Sequence, residues 1–487
     1  MNTMLLKLSS TLWKPHNYQK KAAKFLLTHG AGALFLDPGL GKTSIVLAAV
    51  KILKKKNLIN KVLLIAPLRV CHSVWPNEIM KWKDFQGLRY VILHGPHKDE
   101  VLKEEADVYI INPDGLEWLL KPTKIKTKSG KFKILLDVRR FKNLGFDTLV
   151  IDELTSFKDW TTHRFKMMRL VVHTFSRKWG LTGSPAAAGL LYLFGQCFML
   201  DQGNALGKYI THYQNEFFDR GYDGFTWELK PGADLKIYER LKPLALRMGD
   251  ELIDMPKLVH NNIKIEMPKN LHEAYKGMKD DLIAKIHNGT VTAANAAVAS
   301  GKCRQIANGA IYLDYDIEAL VKLPTADRPW QLLHDNKLDA LELLIEELQG
   351  NPLLVAYDFR HDLERFQARF GDDVPYIGGG TPIKRSNELQ DAWNAGELPV
   401  LFGQSKSISR GLNLQGFGNH VCWFSLPWSF EVFDQLIRRV RRQGNKHARV
   451  FSHHLIVEGT IDELILGVLQ SRKNTQDDFF AALKSKQ

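Results

Sequence analysis

The most constraining feature of this 487-residue chain is a rhythm in its first 200 residues, where short apolar runs alternate with longer amphipathic stretches. Short apolar runs between turn-forming residues are typical of buried strands, and amphipathic stretches favour helices. This alternation predicts a doubly wound parallel sheet with helices on both faces. The predicted strands are GALFL, KVLLIAP, YVILH, VYIIN, TLVID and KWGLTGS, and the predicted helices include KTSIVLAAVKILKKK and HSVWPNEIMKW.

The rhythm returns near residue 350 in the apolar runs NPLLVAYD, VPYIGG, PVLFGQ, HVCWFSLP and RVFSHHLIV. Between the two series, the segments ALGKYITHYQNEFFDRG, LHEAYKGMKDDLIAKIHNG and TAANAAVASGKCRQIANG predict helices. We therefore expect an α/β protein with an N-terminal sheet domain at residues 1–200, a mostly helical insertion and linker at 201–330, and a C-terminal sheet domain at 331–487.

Composition limits the classes of partner. Hydrophobic content of 45% and charged content of 25% are ordinary for a globular protein, and no run approaches the roughly 20 apolar residues of a membrane span. The four cysteines form no C-x-x-C pair, so neither a zinc site nor a disulfide framework is predicted, and a reducing cytoplasm fits. The net charge of +14 is most simply explained by a polyanionic partner, with a basic solvated surface as the alternative.

The segment DPGLGKTS, between a predicted strand and a predicted helix, has the pattern of a phosphate-binding loop. Its first expected glycine is replaced by Leu36. Gly39 and Gly41 permit a tight loop whose N–H groups point at phosphate oxygens. Lys42 supplies a charge for the β- and γ-phosphates, and the Thr43 hydroxyl suits Mg²⁺. We therefore predict a nucleotide site lined by Leu36, Asp37, Pro38, Gly39, Leu40, Gly41, Lys42, Thr43 and Ser44.

An acidic pair, Asp152-Glu153, ends the predicted strand TLVID, and ligands bind at the carboxyl ends of such strands. We predict that Asp152 holds Mg²⁺ and that Glu153 orients and polarises the attacking water. The alternative is a surface pair that caps the next helix. The turn from Thr182 to Pro185, at another strand end, is a candidate link between the γ-phosphate and the second domain.

Two further segments are basic. In FDQLIRRVRRQGN, read as a helix, Arg439 and Arg442 are three residues apart and share a face, which suits stabilisation of γ-phosphate charge. The alternative, a basic face toward DNA or solvent, suits Arg438 and Arg441. KPTKIKTKSGKFKI predicts a β-hairpin with one lysine-rich face, which either prevents edge aggregation or contacts phosphates. Its lysines are Lys121, Lys124, Lys126, Lys128, Lys131 and Lys133.

In their order along the chain, these motifs resemble those of superfamily 2 helicases, and most closely the Swi/Snf-like DNA-dependent ATPases. PHNYQKKAAKFL resembles the adenine-reading Q motif, with Gln19 at the matching position, and DPGLGKTS resembles motif I. Other matching segments, from about Trp13 to about Glu463, are LLIAPLRVCHSVWPNEIMKW (motif Ia with its W-x-x-E-x-x-K-W tail), DELTSFKD (acidic box), LTGSP (motif III), LKPLALRMGDELIDMPKLV, GKCRQIANG, DNKLDALELLIEEL, NPLLVAYDFR, SKSISRGLNLQG and DQLIRRVRRQGN.

In this superfamily the first glycine of the loop is often replaced, so Leu36 fits the resemblance. Three departures bear on subtype and on coupling rather than on hydrolysis. Thr155 stands where the acidic box usually has His, and Asn445 replaces the usual Gln after the arginines. The segment SLPWSFEVFDQ lacks the usual acidic residue before its Pro-Trp.

The resemblance implies two RecA-like P-loop NTPase lobes that bind ATP and Mg²⁺ between them, with Arg439 and Arg442 engaging when the cleft closes. Nucleotide state would then drive a hinge motion, and DNA, with duplex favoured, would be moved along its backbone through sequence-independent contacts. Candidate DNA contacts are Arg69, the lysines of 121–133, Ser407 to Arg410, and Arg438.

Three alternatives stay open: an RNA helicase of the same superfamily, a motor subunit of a restriction or repair assembly, and a nucleotide-gated DNA-binding scaffold that barely hydrolyses ATP. We expect no membrane association and a location in a bacterial or infected-host cytoplasm. A protein partner is left undetermined.

Overall fold

The structure is a computed structural model that describes residues 10–126, 132–221, 226–249, 254–273, 275–277, 293–313 and 328–484. The chain divides into two compact units. Unit 1 comprises Met1–Ile253 with Asn474–Gln487, and unit 2 comprises Asp254–Lys473. This division falls at 253/254, whereas the sequence suggested boundaries near 200 and 330.

Unit 1 contains a parallel sheet. Seven strands among its described residues follow the order β11-β1-β8-β7-β2-β4-β3, and neighbouring strands are parallel throughout. The six strands predicted before residue 200 are therefore confirmed. The strands of unit 1 are β1 (Ala31–Leu36), β2 (Lys61–Ile65), β3 (Tyr90–Ile92), β4 (Val108–Ile111), β5 (Thr123–Lys126), β6 (Phe132–Leu135), β7 (Phe146–Asp152), β8 (Arg177–Thr182), β9 (Phe218–Arg220), β10 (Trp227–Leu229) and β11 (Ala245–Met248).

Helices cover both faces of this sheet. Leu63 and Ile65 enter one apolar core, and the alternating residues Val62 and Leu64 enter the other, because successive strand side chains point to opposite faces. Burial on both faces explains why the strands read as continuous apolar runs. The helices are α1 (Asn17–Thr28), α2 (Lys42–Lys55), α3 (Leu68–His72), α4 (Val74–Lys81), α5 (Lys98–Val101), α6 (Leu116–Leu120), α7 (Val138–Asn143), α8 (His163–Val171), α9 (Leu193–Asp201), α10 (Ile210–Phe217) and α11 (Ala233–Leu241).

Residues 201–249 complete unit 1 rather than starting a separate helical insertion. The expected helix over 205–221 ends at Phe217, and the chain continues as β9, which pairs with β10. After α11, β11 adds a strand beside β1, from Ala33↔Ala245 to Leu36↔Met248. The sequence ALRM of β11 consists largely of good helix formers, so its apolar pattern does not distinguish it from a helix.

The predicted lysine hairpin is present as an antiparallel pair. Its register runs from Thr123↔Leu135 to Lys126↔Phe132. Lys128 and Lys131, with the predicted turn, lie outside the described residues.

Unit 2 contains the second parallel sheet. Its six strands among the described residues follow the order β12-β19-β18-β15-β17-β16. The five strands predicted after residue 350 are confirmed. The strands are β12 (Lys257–Ile265), β13 (Ala310–Tyr312), β14 (Trp330–Leu332), β15 (Leu353–Tyr357), β16 (Tyr376–Ile377), β17 (Val400–Gln404), β18 (His420–Trp423) and β19 (Arg449–Val457).

The helices of unit 2 include the predicted helix over 292–309. They are α12 (Ala293–Asn308), α13 (Asn336–Glu347), α14 (Arg360–Phe370), α15 (Ile383–Ala395), α16 (Ser405–Ile408), α17 (Phe430–Val440) and α18 (Ile461–Lys484), which continues into the C-terminal residues of unit 1.

A segment expected in the linker instead forms β12, which pairs with β19 over nine residues. The helix expected over 271–289 falls mostly outside the described residues. No helix in the described part of the chain is long and apolar enough to cross a membrane.

Candidate nucleotide site

The phosphate-binding loop connects β1 to α2. Gly39 and Gly41 have φ values of 95° and 75°, the left-handed region that glycine adopts without steric cost. Gly41 directly precedes α2 and provides no side-chain cap, so the first N–H groups of the helix remain available for phosphate oxygens. Leu36 is still part of β1, and its side chain is fully buried in the core. The position that lacks the expected glycine is therefore a strand position.

Lys42 folds back over this loop. Its Nζ donates to the carbonyl oxygens of Leu36 at 2.8 Å and of Asp37 at 3.3 Å. The ammonium group is thereby held above the loop, where a bound phosphate would meet it. Because both acceptors are backbone carbonyls, the sequence predicts the lysine but not these two contacts.

Gln19 packs against the same loop from α1. Its Nε2 donates to the carbonyl of Leu40 at 3.3 Å, and its Oε1 accepts from the backbone N–H of His16 at 3.0 Å. A Cβ at Gly41 would lie 2.4 Å from Gln19 Nε2, so a larger residue there would displace the Gln19 amide and would be strained by the φ of 75°. The structure therefore places Gln19 beside the phosphate loop, and its role toward adenine stays a prediction.

A buried ion pair, absent from the sequence expectations, anchors the start of the loop. Arg247 of β11 donates to Asp37 Oδ2 at 2.9 Å and to the carbonyls of Phe35 and Met248 at 3.0 and 2.6 Å. The Asp37 and Arg247 side chains are 2% and 5% exposed. A charge pair this deeply buried costs much desolvation, and the added hydrogen bonds offset it. This ion pair connects β11, at the edge of the sheet, to Asp37, the first residue of the loop.

The acidic box begins at the carboxyl end of β7. Trp75, fully buried on α4, donates its indole N–H to Asp152 Oδ2 at 2.9 Å. The nearby thiol of Cys71 is a poor nucleophile, because burial and the Asp152 charge raise its pKa to about 12. Asp152 therefore lies in an ordered setting in which its carboxylate is oriented by a rigid donor.

Glu153 has a φ of 65°, which non-glycine residues rarely adopt. Its Oε1 accepts from two hydroxyls, Thr155 Oγ1 at 2.9 Å and Thr182 Oγ1 at 3.0 Å. The backbone N–H of Ser184 donates to Thr182 Oγ1 at 3.2 Å. The acidic box and the LTGSP turn are therefore joined through one carboxylate. Thr155, noted only as a departure from the usual His, provides one of the two donors.

The arginines of unit 2 differ from the sequence expectation. The prediction of a helical face shared by Arg439 and Arg442 is wrong, because α17 ends at Val440 and the backbone leaves helical geometry at Arg441, where ψ is 85°. Both side chains nevertheless contact one loop. Arg439 donates to the carbonyls of Ser409 and Leu412 at 3.0 and 3.3 Å, and Arg442 donates to Asn413 Oδ1.

Three of the candidate DNA-contacting arginines have partners within unit 2. Arg438 pairs with Asp434 at 2.8 Å, and Arg410 pairs with Glu431 at 3.3 Å. Arg441 donates to the carbonyl of Pro256 at 2.7 Å. Arg69 is half-buried, and burial lowers the pKa of its guanidinium. The role of these residues toward DNA stays a prediction.

The residues of unit 1 fit Mg²⁺ held jointly with a nucleotide. Mg²⁺ prefers oxygen ligands and is usually bound through one or two carboxylates together with substrate phosphates. Thr43 lies in the first turn of α2, which follows β1, and Asp152 lies at the carboxyl end of β7. The strands β1 and β7 belong to the same parallel sheet. Within the described ranges, no group of three or more His, Cys, Asp or Glu side chains could hold a metal alone.

A phosphate loop at the end of β1 and an acidic pair at the end of β7 define a P-loop NTPase, and the two parallel sheets are those of two RecA-like lobes. Two family models match the chain: the SNF2-related domain over residues 18–310 and the helicase conserved C-terminal domain over residues 336–444. The chain therefore belongs to the SNF2-related, Swi/Snf-like family of superfamily 2 helicases, which are ATP-hydrolysing enzymes.

Curated relatives extend over most of the chain. Putative protein p41 of Acyrthosiphon pisum secondary endosymbiont phage 1 is 31% identical and covers 97% of this chain and 99% of its own length. The uncharacterized ATP-dependent helicase YqhH of Bacillus subtilis (strain 168) is 22% identical, with 94% and 78% covered. The solved SWI2/SNF2 ATPase core of Sulfolobus solfataricus in complex with dsDNA is 21% identical, with 98% and 95% covered and a TM-score of 0.44.

Proposed function

We propose that this protein is a DNA-dependent ATPase that couples hydrolysis to movement along, or remodelling of, duplex DNA. Family membership supports the ATPase class. The support for DNA is the net charge of +14 together with relatives named for DNA repair, such as the DNA repair and recombination protein RAD54B of Mus musculus. RAD54B is 22% identical, and the match covers 89% of this chain and 52% of that protein.

In the proposed reaction, the N–H groups of the phosphate loop and the Lys42 ammonium bind the β- and γ-phosphates of ATP. Gln19 reads adenine, and Thr43 and Asp152 hold Mg²⁺. When bound, Mg²⁺ neutralises charge that develops on the phosphate oxygens. Leu36 and Leu40 contribute backbone and core packing, because their side chains are fully buried.

Glu153 orients the attacking water and accepts its proton as the γ-phosphate is transferred. The observation that carries the proposal is the pair of hydroxyls on Glu153 Oε1, because these two donors orient the carboxylate and link it to the LTGSP turn. A merely structural acidic residue at a strand end has no need of two converging donors and a left-handed backbone.

From unit 2, we propose that Arg439 and Arg442 stabilise the charge on the γ-phosphate. Both guanidinium groups bond to the segment 409–413. A loop that contacts DNA would therefore be linked to the residues that sense the phosphate. Arg69, Arg438, Ser407 to Arg410 and the lysines of 121–133 are the proposed backbone contacts.

The test is steady-state ATP hydrolysis by the purified full chain with no nucleic acid, single-stranded DNA, duplex DNA and RNA, at two salt concentrations. We expect duplex DNA to give the largest stimulation and added salt to weaken it, because backbone contacts release counterions on binding. Lys42→Ala should abolish the stimulated rate while leaving the melting temperature unchanged. An ATP hydrolysis rate that is unchanged by nucleic acid at low salt would contradict the proposal.

The same experiment separates the alternatives. Stronger stimulation by RNA would indicate an RNA helicase. DNA binding that responds to nucleotide without turnover would indicate a scaffold, and a strand-displacement assay distinguishes unwinding from duplex tracking. Co-purification would detect the partner chain of a larger assembly. Relatives from a phage and from B. subtilis support action in a bacterial or infected-host cytoplasm. We also propose that the protein has no membrane partner.

A further inference from the structure

Helix α4 contacts both parts of the proposed ATP·Mg²⁺ site in unit 1. Trp75 and Glu78 are three residues apart on this helix and therefore share a face. Trp75 donates to Asp152 Oδ2 at 2.9 Å, and its side chain is fully buried. Neither Trp75 nor Glu78 has a role in the hydrolysis steps above, yet both bond to residues of the site.

Glu78 makes the second contact, with α2. Its Oε1 accepts from Ser44 Oγ and from the indole N–H of Trp82, the latter at 2.7 Å. Ser44 follows Thr43, the proposed metal ligand, in the first turn of α2. One helix thus holds the acidic box through an indole and the phosphate-loop helix through a carboxylate.

The choice of side chains gives this arrangement a physical rationale. A buried indole N–H needs an acceptor, and the fully packed ring leaves it one orientation. Asp152 therefore receives a donor whose position is set by the core rather than by solvent. Hydrogen bonds to a metal-holding carboxylate fix its orientation, and their loss typically costs about 10–100-fold in metal affinity or activity.

We propose that Trp75 is a positioning residue that orients Asp152 for Mg²⁺. We also propose that Glu78 holds α4 against α2, so that Asp152 keeps a fixed position relative to the first turn of α2. This inference rests on the proposed ATPase function and deepens it. It assigns a role in metal binding to the W-x-x-E sequence of α4.

The test compares two variants that each remove a buried indole N–H from unit 1. Trp75→Phe removes the donor to Asp152. Trp179→Phe is the matched control, because Trp179 is also fully buried and donates to a backbone carbonyl, that of His29, at 3.4 Å. Two quantities are measured: the Mg²⁺ concentration for half-maximal kcat, and the affinity for a fluorescent ADP analogue with and without Mg²⁺.

For Trp75→Phe we expect a half-maximal Mg²⁺ concentration about 10-fold higher and a smaller Mg²⁺-dependent gain in ADP affinity, with metal-free ADP binding unchanged. Trp179→Phe should alter neither quantity, even if it lowers the melting temperature. The inference is overturned if both variants show the same Mg²⁺ dependence as the unmodified protein.

Glu78→Ala decides the matter if Trp75→Phe does not fold, because Glu78 is only half-buried and its truncation leaves the core intact. We expect the same direction of change, about 3-fold, and an unchanged Mg²⁺ dependence would overturn the inference. Failure of the proposed function looks different. In that case the unmodified protein itself shows no Mg²⁺-dependent hydrolysis.

Discussion

Each unit contains a group of buried polar side chains, and the two groups lie in different places within their units. In unit 1, Asp37, Arg247 and Thr182 lie at or next to the carboxyl ends of parallel strands, around the nucleotide loop. In unit 2, a buried polar network fills the interior instead. Lys337 has no exposed side-chain surface and bonds to Asp462 Oδ2, Asn308 Oδ1 and the Phe424 carbonyl at 2.8 to 3.0 Å.

The network of unit 2 extends to α14. Asn308 donates to Asp362 Oδ2 at 3.0 Å, and Arg365 donates to the carbonyls of Asn308 and His334. Burial alone would raise the pKa of the Asp362 carboxyl, but His361 and Arg365 hold it below its usual range. These hydrogen bonds and charges link the buried polar groups of unit 2 to one another. In unit 1, the buried polar side chains position the groups of the candidate nucleotide site, whereas in unit 2 they specify packing. Substitutions in the unit 1 site should therefore lower activity, and substitutions in the unit 2 network should lower stability.

The largest expected effect tests the unit 1 side of the comparison. Glu153→Gln should lower kcat about 10²–10⁴-fold, because the amide cannot accept a proton from water, while the melting temperature stays near that of the unmodified protein. ATP turnover and thermal melting are measured together, with exposed Glu228→Gln as the control. Near-native turnover in Glu153→Gln would show that Glu153 does not accept the proton of the attacking water.

The next effect tests unit 2. Lys337→Met should cost about 3–5 kcal/mol of folding free energy, because it leaves the buried Asp462 carboxylate without its cation. Denaturant unfolding measures the loss. Lys264→Met is the control, since its bridge to Glu458 at 2.9 Å is exposed and should leave the unfolding midpoint unchanged. Equal stability of the two variants would break the comparison.

Acid should weaken unit 2 through its histidines. Burial, together with neighbouring imidazoles that include His453, lowers the pKa of His420 to about 4 and that of His454 to about 3. A His whose folded pKa lies below the unfolded value near 6.5 contributes stability above pH 6.5, and this stability falls as pH drops toward 4. Thermal melting between pH 7 and 4 measures the loss. His420→Gln should flatten the profile, and an unchanged slope would contradict the assignment.

The smallest effect concerns one hydroxyl of unit 1. Thr155→Ala should lower kcat about 10-fold, because Glu153 Oε1 loses one of the two donors seen in the structure. Thr155→Ser keeps the hydroxyl and should restore most of the rate. ATP KM should change little in either variant. Equal rates for the Ala and Ser variants would show that the hydroxyl is not needed.

Most of the fold was predictable because its signal is local. Strands buried on both faces read as continuous apolar runs, and all eleven predicted strands are present in the parallel sheets. β11 was missed because ALRM favours a helix by intrinsic preference, and its pairing with β1 overrides that preference. β12 was missed because its nine residues include exposed polar positions and lack an apolar run.

The site was predictable where one segment carries the chemistry. Gly39, Gly41 and Lys42 lie in one loop, and their conformations and contacts follow from that segment. Arg442 was misjudged because helix continuity through Arg441 was assumed, and the backbone turns there. No local pattern signals that Thr155 and Thr182, which lie on different segments, converge on one oxygen.

By itself, the sequence determined the two series of buried strands, the phosphate loop and the acidic pair, because each depends on neighbours within a few residues. Only the tertiary structure decided the partners of those groups. Trp75 meets Asp152 across 77 residues, and Arg247 meets Asp37 across 210. Such contacts depend on which strands become neighbours and on where the carboxyl ends of a parallel sheet bring their loops together, and no short segment encodes that arrangement.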